Sequence, residues 1–162
     1  MTSDERRAAL ATYARAYDDV RALLPSIPPD ALQFRPGAGR WTIHEILIHL
    51  ADSEANAFVR CRRILAEPGS AVLGYDQDKW ADGLGYAHQS ADDSLELFRW
   101  MRVTTTALLR MQPDAAWQRT VEHSERGTMN LDDWMITYAD HIPGHIRQIQ
   151  GNLAAWTAAK SA

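Results

Sequence analysis

Three histidines have the residue type and the spacing to bind one metal ion. His141 and His145 are four residues apart, so on a helix they lie one turn apart on the same face. His49 belongs to a separate segment whose apolar residues also recur at helical spacing. Imidazole nitrogens bind zinc, nickel, copper or iron, and we expect zinc or nickel here. Three such ligands leave a coordination position open for water or a substrate, as catalytic zinc sites do.

The residues alone leave two interpretations of these histidines open. A lone inward histidine is usually a hydrogen-bonded core residue, whereas several stacked imidazoles are difficult to satisfy by packing. Metal binding and a structural role are therefore equally compatible with the sequence. A zinc-protease HExxH motif is excluded, because His44 and His49 are five residues apart and that motif needs four. A di-iron bundle is also excluded, since none of the three histidines has a glutamate three positions earlier.

Two carboxylates flank His49 along its predicted helix. Asp52 lies one turn after it and is predicted to orient an imidazole or to accept a proton during catalysis. Glu45 lies one turn before it, but Glu45 also stands three residues after Thr42, which is the spacing of a helix-capping box. Capping explains Glu45, so Asp52 is the catalytic candidate.

Three residues of the last predicted helix are further site candidates. Tyr138 lies one turn before His141, where it either brings a hydroxyl group near the ion or packs in the core. Arg147 and Gln148 follow His145 and are predicted to contact a substrate or a partner chain. We assign Tyr138 to catalysis and Arg147 to cofactor binding.

The remaining candidates for chemistry are interpreted as bystanders. His88 and His123 fall in predicted loops and are expected to be exposed to solvent. Cys61, the only cysteine, is expected to be a small core residue, since it lies three turns beyond His49. The basic cluster at 60–63 is expected to form a solvated helix face.

Four amphipathic helices are predicted to position these residues. Apolar residues recur at steps of three and four in the segments 4–24, 42–66, 90–113 and 130–156. Thr42, Ser90 and Asn130 are predicted to cap the last three helices. Helices of this length bury their apolar faces best against one another, so we predict an all-α four-helix bundle.

The segments between the predicted helices lack a sustained period. Residues 67–89 are predicted to form a long crossover connection between the second and third helices, and connections of this length are often functional. Residues 117–129 are predicted to be an irregular loop or a short hairpin. Pro143, between the paired histidines, is predicted to kink or tighten the last helix, and a complete break there would separate His141 from His145.

Length and composition restrict the function classes. A chain of 162 residues with 46% hydrophobic residues is expected to form one domain over residues 1–162. The net charge of −4 makes nucleic acid an unexpected partner, because affinity for phosphate backbones needs clustered positive charge. No apolar run reaches the length of a membrane span, so no membrane interaction and a cytoplasmic location are expected. The expected partner is a small-molecule substrate.

Two motifs together resemble those of a known family. Residues 41–52 (WTIHEILIHLAD) and residues 140–149 (DHIPGHIRQI) are similar, in order and separation, to the motifs of the DinB-like superfamily of metalloenzymes, also called DinB/YfiT-like. The resemblance covers nearly the whole chain. It implies a four-helix bundle with a long crossover connection, a metal held at His49, His141 and His145, and a homodimer. Some members of this family carry a proline between the paired histidines.

The resemblance and the ligands together suggest three functions. Members of the family include transferases and isomerases that use a low-molecular-weight thiol, so the first hypothesis is a thiol-dependent S-transferase. The second is a metal-dependent hydrolase, which the same ligands would support. The third is a non-catalytic stress or binding protein with a structural metal site. A shared fold does not decide among them, because function depends on the site.

Overall fold

The computed structural model describes residues 1–161, and most of them are helical. The helices are α1 (Ser3–Leu23), α2 (Pro29–Leu32), α3 (Ile43–Ala66), α4 (Gln77–Gly83), α5 (Ala91–Arg110) and α6 (Leu131–Lys160). The strands are β1 (Ala71–Val72), β2 (Thr120–His123) and β3 (Gly127–Asn130), and single 3-10 turns span Leu24–Ser26, Tyr86–His88 and Asp114–Gln118. Within the described part of the chain, no helix has both the length and the apolar composition needed to cross a membrane.

The four long helices α1, α3, α5 and α6 form the predicted four-helix bundle. Helix α3 packs against α5 and α6, and α1 packs against the same two helices, so α1 and α3 occupy opposite corners. The apolar faces meet in a core that includes the fully buried side chains of Tyr13, Ile46, Phe98 and Trp134. The helical periodicity of the sequence therefore predicts both the number of long helices and their inward faces.

Hydrogen bonds at the starts of α3 and α6 confirm that Thr42 and Asn130 cap these helices. Thr42 accepts a hydrogen bond from the backbone N–H of Glu45, whose carboxylate accepts one from the backbone N–H of Thr42. Asn130 and Asp133 form the same reciprocal pair at the start of α6. Because caps satisfy donors that have no partner inside the helix, they fix where α3 and α6 begin and thus the turn on which each histidine lies.

Helix α6 continues through Pro143 without a break. Proline removes one backbone hydrogen bond from a helix interior, which is why a kink or a tightened turn is predicted there. The remaining hydrogen bonds of a 30-residue helix and its packing against α1 and α3 hold the helix together. His141 and His145 therefore stay on one helical face.

The connection between α3 and α5 contains more structure than its sequence predicts. It holds β1, the seven-residue helix α4 and one 3-10 turn. Strand β1 pairs in parallel with β2, with Ala71 opposite Glu122, and β2 pairs with β3 as the predicted hairpin. The resulting three-stranded sheet joins the connection between α3 and α5 to the β2–β3 hairpin, which lies about fifty residues later in the chain.

A buried ion pair joins three of the long helices. Nε of Arg102 on α5 donates a hydrogen bond to Glu54 on α3 at 2.8 Å, and both side chains are 1% exposed. The hydroxyl of Tyr13 on α1 donates a hydrogen bond to the other carboxylate oxygen of Glu54. The backbone carbonyl of Tyr13 accepts a hydrogen bond from Arg102. Both buried charges are thus hydrogen-bonded as well as paired, which offsets the cost of removing them from water.

Candidate metal centre

The bundle brings the three predicted histidines together. His49 projects from α3, and His141 and His145 project from adjacent turns of α6, which packs against α3. One potential ligand atom from each residue can be chosen so that all three lie within 4.8 Å of one another. The Nε2 atoms of His141 and His145 are 3.1 Å apart. Imidazoles from two helices therefore converge on one small volume.

The surroundings of His49 fit a metal ligand better than a core histidine. Its side chain is 0% exposed and packs against the ring of Trp41 at 4.7 Å between centroids. Neither ring nitrogen has a hydrogen-bond partner among residues 1–161. An unsatisfied buried polar group costs about 1–3 kcal/mol, and native proteins rarely leave one without a reason. The donor set at this position fits a divalent cation such as zinc.

All three imidazoles are neutral at physiological pH. Burial lowers the pKa of His49 to about 3, with a smaller contribution from His145. Burial also lowers the pKa of His141 to about 2, and the neighbouring imidazoles lower it further. The pKa of His145 moves in the same direction for the same reason. A neutral imidazole keeps a free lone pair, which is the form that binds metal.

Two polar side chains contact the imidazoles on α6. Nδ1 of His145 donates a hydrogen bond to Oε1 of Gln148 at 2.9 Å, which leaves Nε2 without a proton and directed toward His141. The hydroxyl of Ser53 lies 3.5 Å from Nε2 of His141. The sequence predicts only substrate or partner contacts for Gln148, although a position three residues after His145 is the spacing of a helical side-chain pair.

The two predicted catalytic residues lie close to the cluster but contact other groups. The carboxylate of Asp52 accepts a hydrogen bond from the hydroxyl of Tyr86 at 2.6 Å. No hydrogen bond joins Asp52 to the three histidines within the described chain, so its catalytic role stays a prediction. The Tyr138 ring lies 6.2 Å from that of His141 and packs against Trp134. Tyr138 also lines a cavity, and its hydroxyl contacts Arg60 in the same wall, so both predicted uses of Tyr138 are compatible with its position.

Arg147 lies on the surface of α6. Its side chain is 66% exposed, and its guanidinium is 3.9 Å from the carboxylate of Asp140. It lines neither the cavity beside His141 nor the cavity beside His145. The side chain is surrounded mainly by solvent, so the assignment of Arg147 to cofactor binding stays a prediction.

Cavities open on both sides of the histidine cluster. His141 lines a polar cavity of about 240 Å³ whose walls include Arg60, Tyr75, His123, Arg126 and Tyr138. We call it the polar cavity. His145 and Gln148 line a smaller one of about 130 Å³ with Trp41. Gln77, at the start of α4, lines both cavities. Each of the two paired histidines therefore borders a different cavity.

Two predictions about individual residues are wrong. His123 is buried, because it occupies an inward position of β2, where buried and less buried residues alternate. Arg60 is also buried and is not part of a solvated face, because it donates hydrogen bonds to the Tyr138 hydroxyl and to the Leu73 carbonyl. His88 is exposed and Cys61 is buried, as predicted.

Comparison with known proteins identifies a family and relatives that match most of the chain. The DinB superfamily model matches residues 12–149. A protein of Oceanobacillus iheyensis named "Putative metal-dependent hydrolase" is 30% identical over 112 residues, which are 69% of this chain and 64% of that protein. YfiT of Bacillus subtilis, which carries the same description, is 30% identical over 68% of this chain and 63% of its own. The chain thus spans just under two thirds of the length of these relatives.

Solved structures share the fold. The YfiT structure, described as an unusual four-helix bundle, aligns with a TM-score of 0.87 and 22% identity over 94% of this chain and 87% of that one. A mutant of a mycothiol-dependent maleylpyruvate isomerase aligns with a TM-score of 0.62 and 12% identity over 88% of this chain and 58% of that one. The family match extends over most of the chain and includes all three histidines. The chain belongs to the DinB superfamily.

Proposed function

We propose that this chain is a metal-dependent enzyme that binds one divalent cation, zinc or nickel, through His49, His141 and His145 and hydrolyses a small-molecule substrate. The observation that carries the proposal is the buried His49, whose unpartnered nitrogens face two further neutral imidazoles. The names of the curated relatives support hydrolysis.

A divalent cation held there would act as a Lewis acid and lower the pKa of a bound water or thiol. Two features of the chain favour binding of such a cation. Burial keeps the imidazoles neutral, so that they are available as ligands without losing protons first. Gln148 fixes the tautomer and the ring orientation of His145, as second partners of metal-bound histidines commonly do.

Tyr138 is suited to hold a substrate in the polar cavity. Its hydroxyl oxygen accepts a hydrogen bond from Arg60 at 2.7 Å. Burial raises the pKa of Tyr138 above its ordinary value, although Arg60 lowers it in part, so the hydroxyl keeps its proton at neutral pH. Arg60 uses the oxygen of that hydroxyl as an acceptor, and no side chain or carbonyl among residues 1–161 accepts the proton, so the proton is available to a substrate oxygen. We assign Tyr138 this hydrogen-bonding role.

Transfer of a low-molecular-weight thiol to an electrophile is the second candidate. The structural similarity to a protein named as a mycothiol-dependent isomerase favours it. The same three ligands would serve this reaction, because a metal ion stabilises a thiolate as it does a hydroxide. The low sequence identity to that protein is why we place hydrolysis first.

The test begins with metal analysis of protein purified without an affinity tag. Simple esters and amides are then assayed beside pairs of a thiol and an electrophile, with and without chelator. We expect hydrolysis that chelator abolishes, that His145→Ala abolishes and that His88→Ala retains, since His88 is exposed and outside the cluster. Turnover that survives His145→Ala would contradict the proposal.

Two other outcomes separate the remaining functions. Turnover only when a thiol is present would favour the transferase. If chelation lowers the melting temperature but no assay shows turnover, the metal is structural, because a ligand that binds only the native state stabilises it.

A further inference from the structure

Arg60 carries a buried positive charge that has no carboxylate partner. The side chain is 9% exposed and uses its guanidinium to donate to the Tyr138 hydroxyl and to the Leu73 carbonyl. Among residues 1–161, no Asp or Glu oxygen lies within 4.0 Å of it. The other strongly buried guanidinium, that of Arg102, is paired with Glu54. Because burying an uncompensated charge is costly, the position of Arg60 calls for an anion that the described chain does not supply.

A second guanidinium lines the same cavity. Arg126, on the turn between β2 and β3, donates a hydrogen bond to the Thr137 hydroxyl at 3.1 Å and makes no ion pair within the described chain. Glu125, the acidic residue on the wall, is exposed to solvent. Two arginines against one glutamate give the polar cavity a net positive charge.

His123 adds a neutral donor to the wall that carries the two arginines. Its Nδ1 accepts a hydrogen bond from the backbone N–H of Glu125 at 3.2 Å, so the neutral ring carries its proton on Nε2. Burial lowers the pKa of His123, and the charges of Arg60 and Arg126 lower it further. The ring is therefore a hydrogen-bond donor in a positive environment, a combination that suits an oxyanion.

The size and position of the polar cavity restrict what it can bind. Its volume of about 240 Å³ lies slightly below the roughly 300–1,000 Å³ of drug-sized pockets, so a small molecule fits. His141 lines the same cavity. An anionic group bound by the arginines would therefore hold the rest of the molecule next to the metal ligands.

We propose that the polar cavity recognises an oxyanion group, a carboxylate or a phosphate, on the substrate through Arg60, Arg126 and His123. Guanidinium groups bind both kinds of oxyanion through paired hydrogen bonds. The proposal rests on the proposed function, because it specifies the substrate class of the same site. It makes Arg60 and Arg126 determinants of substrate specificity and gives the hairpin a role in binding.

Binding measured by calorimetry tests this proposal independently of turnover. The zinc-loaded and the metal-free protein are each titrated at constant ionic strength with phosphate, with succinate and with the neutral analogue succinamide. We expect phosphate or succinate to bind both protein forms and succinamide to bind neither. The stronger of the two anions identifies the oxyanion, and binding to the metal-free form shows that the metal is not the anion's partner.

Variants then locate the site. Arg126→Gln should weaken anion binding at least about tenfold, since a charged hydrogen bond contributes more than that factor. Arg63→Gln is the matched control, because Arg63 lies on α3 close to Arg60 but outside the polar cavity, and the substitution removes the same charge. Arg60→Gln should weaken binding as much as Arg126→Gln. If that variant does not fold, the exposed Arg126 decides the question alone.

Three results would overturn the proposal: no binding of either anion, equal binding of succinate and succinamide, or equal affinities in Arg126→Gln and Arg63→Gln. Anion binding without hydrolysis would support this inference and contradict the proposed function. Hydrolysis without anion binding would support the proposed function and contradict this inference. The failure of one proposal can therefore be told from the failure of the other.

Discussion

Gln148 lies one turn beyond His145 on α6, and its side-chain oxygen accepts the Nδ1 proton of that histidine at 2.9 Å. The contact selects one of the two neutral tautomers of His145, and in that tautomer the free lone pair of Nε2 faces His141. Metal-bound histidines in other proteins are commonly fixed in this way, so the contact makes Gln148 part of the proposed metal site.

Gln148→Leu should weaken metal binding about 10- to 100-fold, because the imidazole of His145 loses the partner that orients it. The measurement is a competition titration with a chromogenic chelator. Gln150→Leu is the matched control, since Gln150 is exposed on the same helix. Equal metal affinities in the two variants would show that the hydrogen bond does not orient the ligand.

His49→Leu should separate metal binding from stability. The substitution removes two buried nitrogens that have no hydrogen-bond partner in residues 1–161 and replaces them with an apolar side chain of similar size. We expect the metal-free variant to be as stable as the parent or more stable, by up to about 1–3 kcal/mol, and to gain nothing from added zinc. Chemical denaturation with and without zinc measures both effects. A variant that zinc still stabilises would exclude His49 as a ligand.

Breaking the buried pair of Glu54 and Arg102 should be costly. Arg102→Met leaves the carboxylate of Glu54 buried without its charged partner, so we expect the free energy of unfolding to fall by about 3–5 kcal/mol. The double variant Glu54→Leu with Arg102→Met should lose less than the sum of the two single variants. A double-mutant cycle in urea gives the coupling. Additive losses would mean that the two charges do not stabilise each other.

Asp132 should make stability depend on pH in the acid range. Arg6 donates two hydrogen bonds to its carboxylate, at 2.7 and 2.8 Å, and this contact lowers the pKa of Asp132 below its ordinary value. A carboxyl group with a lowered pKa in the folded state stabilises the fold above its unfolded pKa, near 3.9. That contribution is lost as the pH falls through the folded pKa.

The difference in unfolding free energy between the parent and Asp132→Asn should therefore be about 1–3 kcal/mol at pH 7 and should vanish below the folded pKa. Urea titrations at a series of pH values measure it. Asp18→Asn, at an exposed position of α1, is the control and should show no such difference. A difference that persists unchanged at pH 2 would assign the effect to something other than the charge.

The sequence predicts the parts of this fold that depend on local periodicity and capping. Apolar residues at helical spacing identify the four long helices, and the caps at Thr42 and Asn130 place their starts within a residue or two. The convergence of His49 with the pair on α6 follows from the inward faces of those helices, once they pack together. The family match confirms the resemblance, whereas the metal-binding role that the resemblance implies for these three positions stays a prediction.

The sequence does not predict what depends on contacts between distant segments. Strand β1 has two residues and exists only because β2 pairs with it, and α4 has only seven residues and a weak apolar pattern. Arg60 looks like part of a basic helix face until Tyr138 and the Leu73 carbonyl supply its acceptors. His123 looks like a loop residue until the hairpin turns it inward. In each case the deciding partner is remote along the chain.

The three-stranded sheet and the segments next to it contribute different residues to the candidate site than the long helices do. All three imidazoles come from rigid bundle helices, whereas much of the wall that would select a substrate comes from strands, turns and a short helix. Residues in those surface segments lie outside the helices that carry the three imidazoles. Under the proposed function, changes in these segments would therefore alter substrate specificity while the residues proposed to bind the metal stay the same.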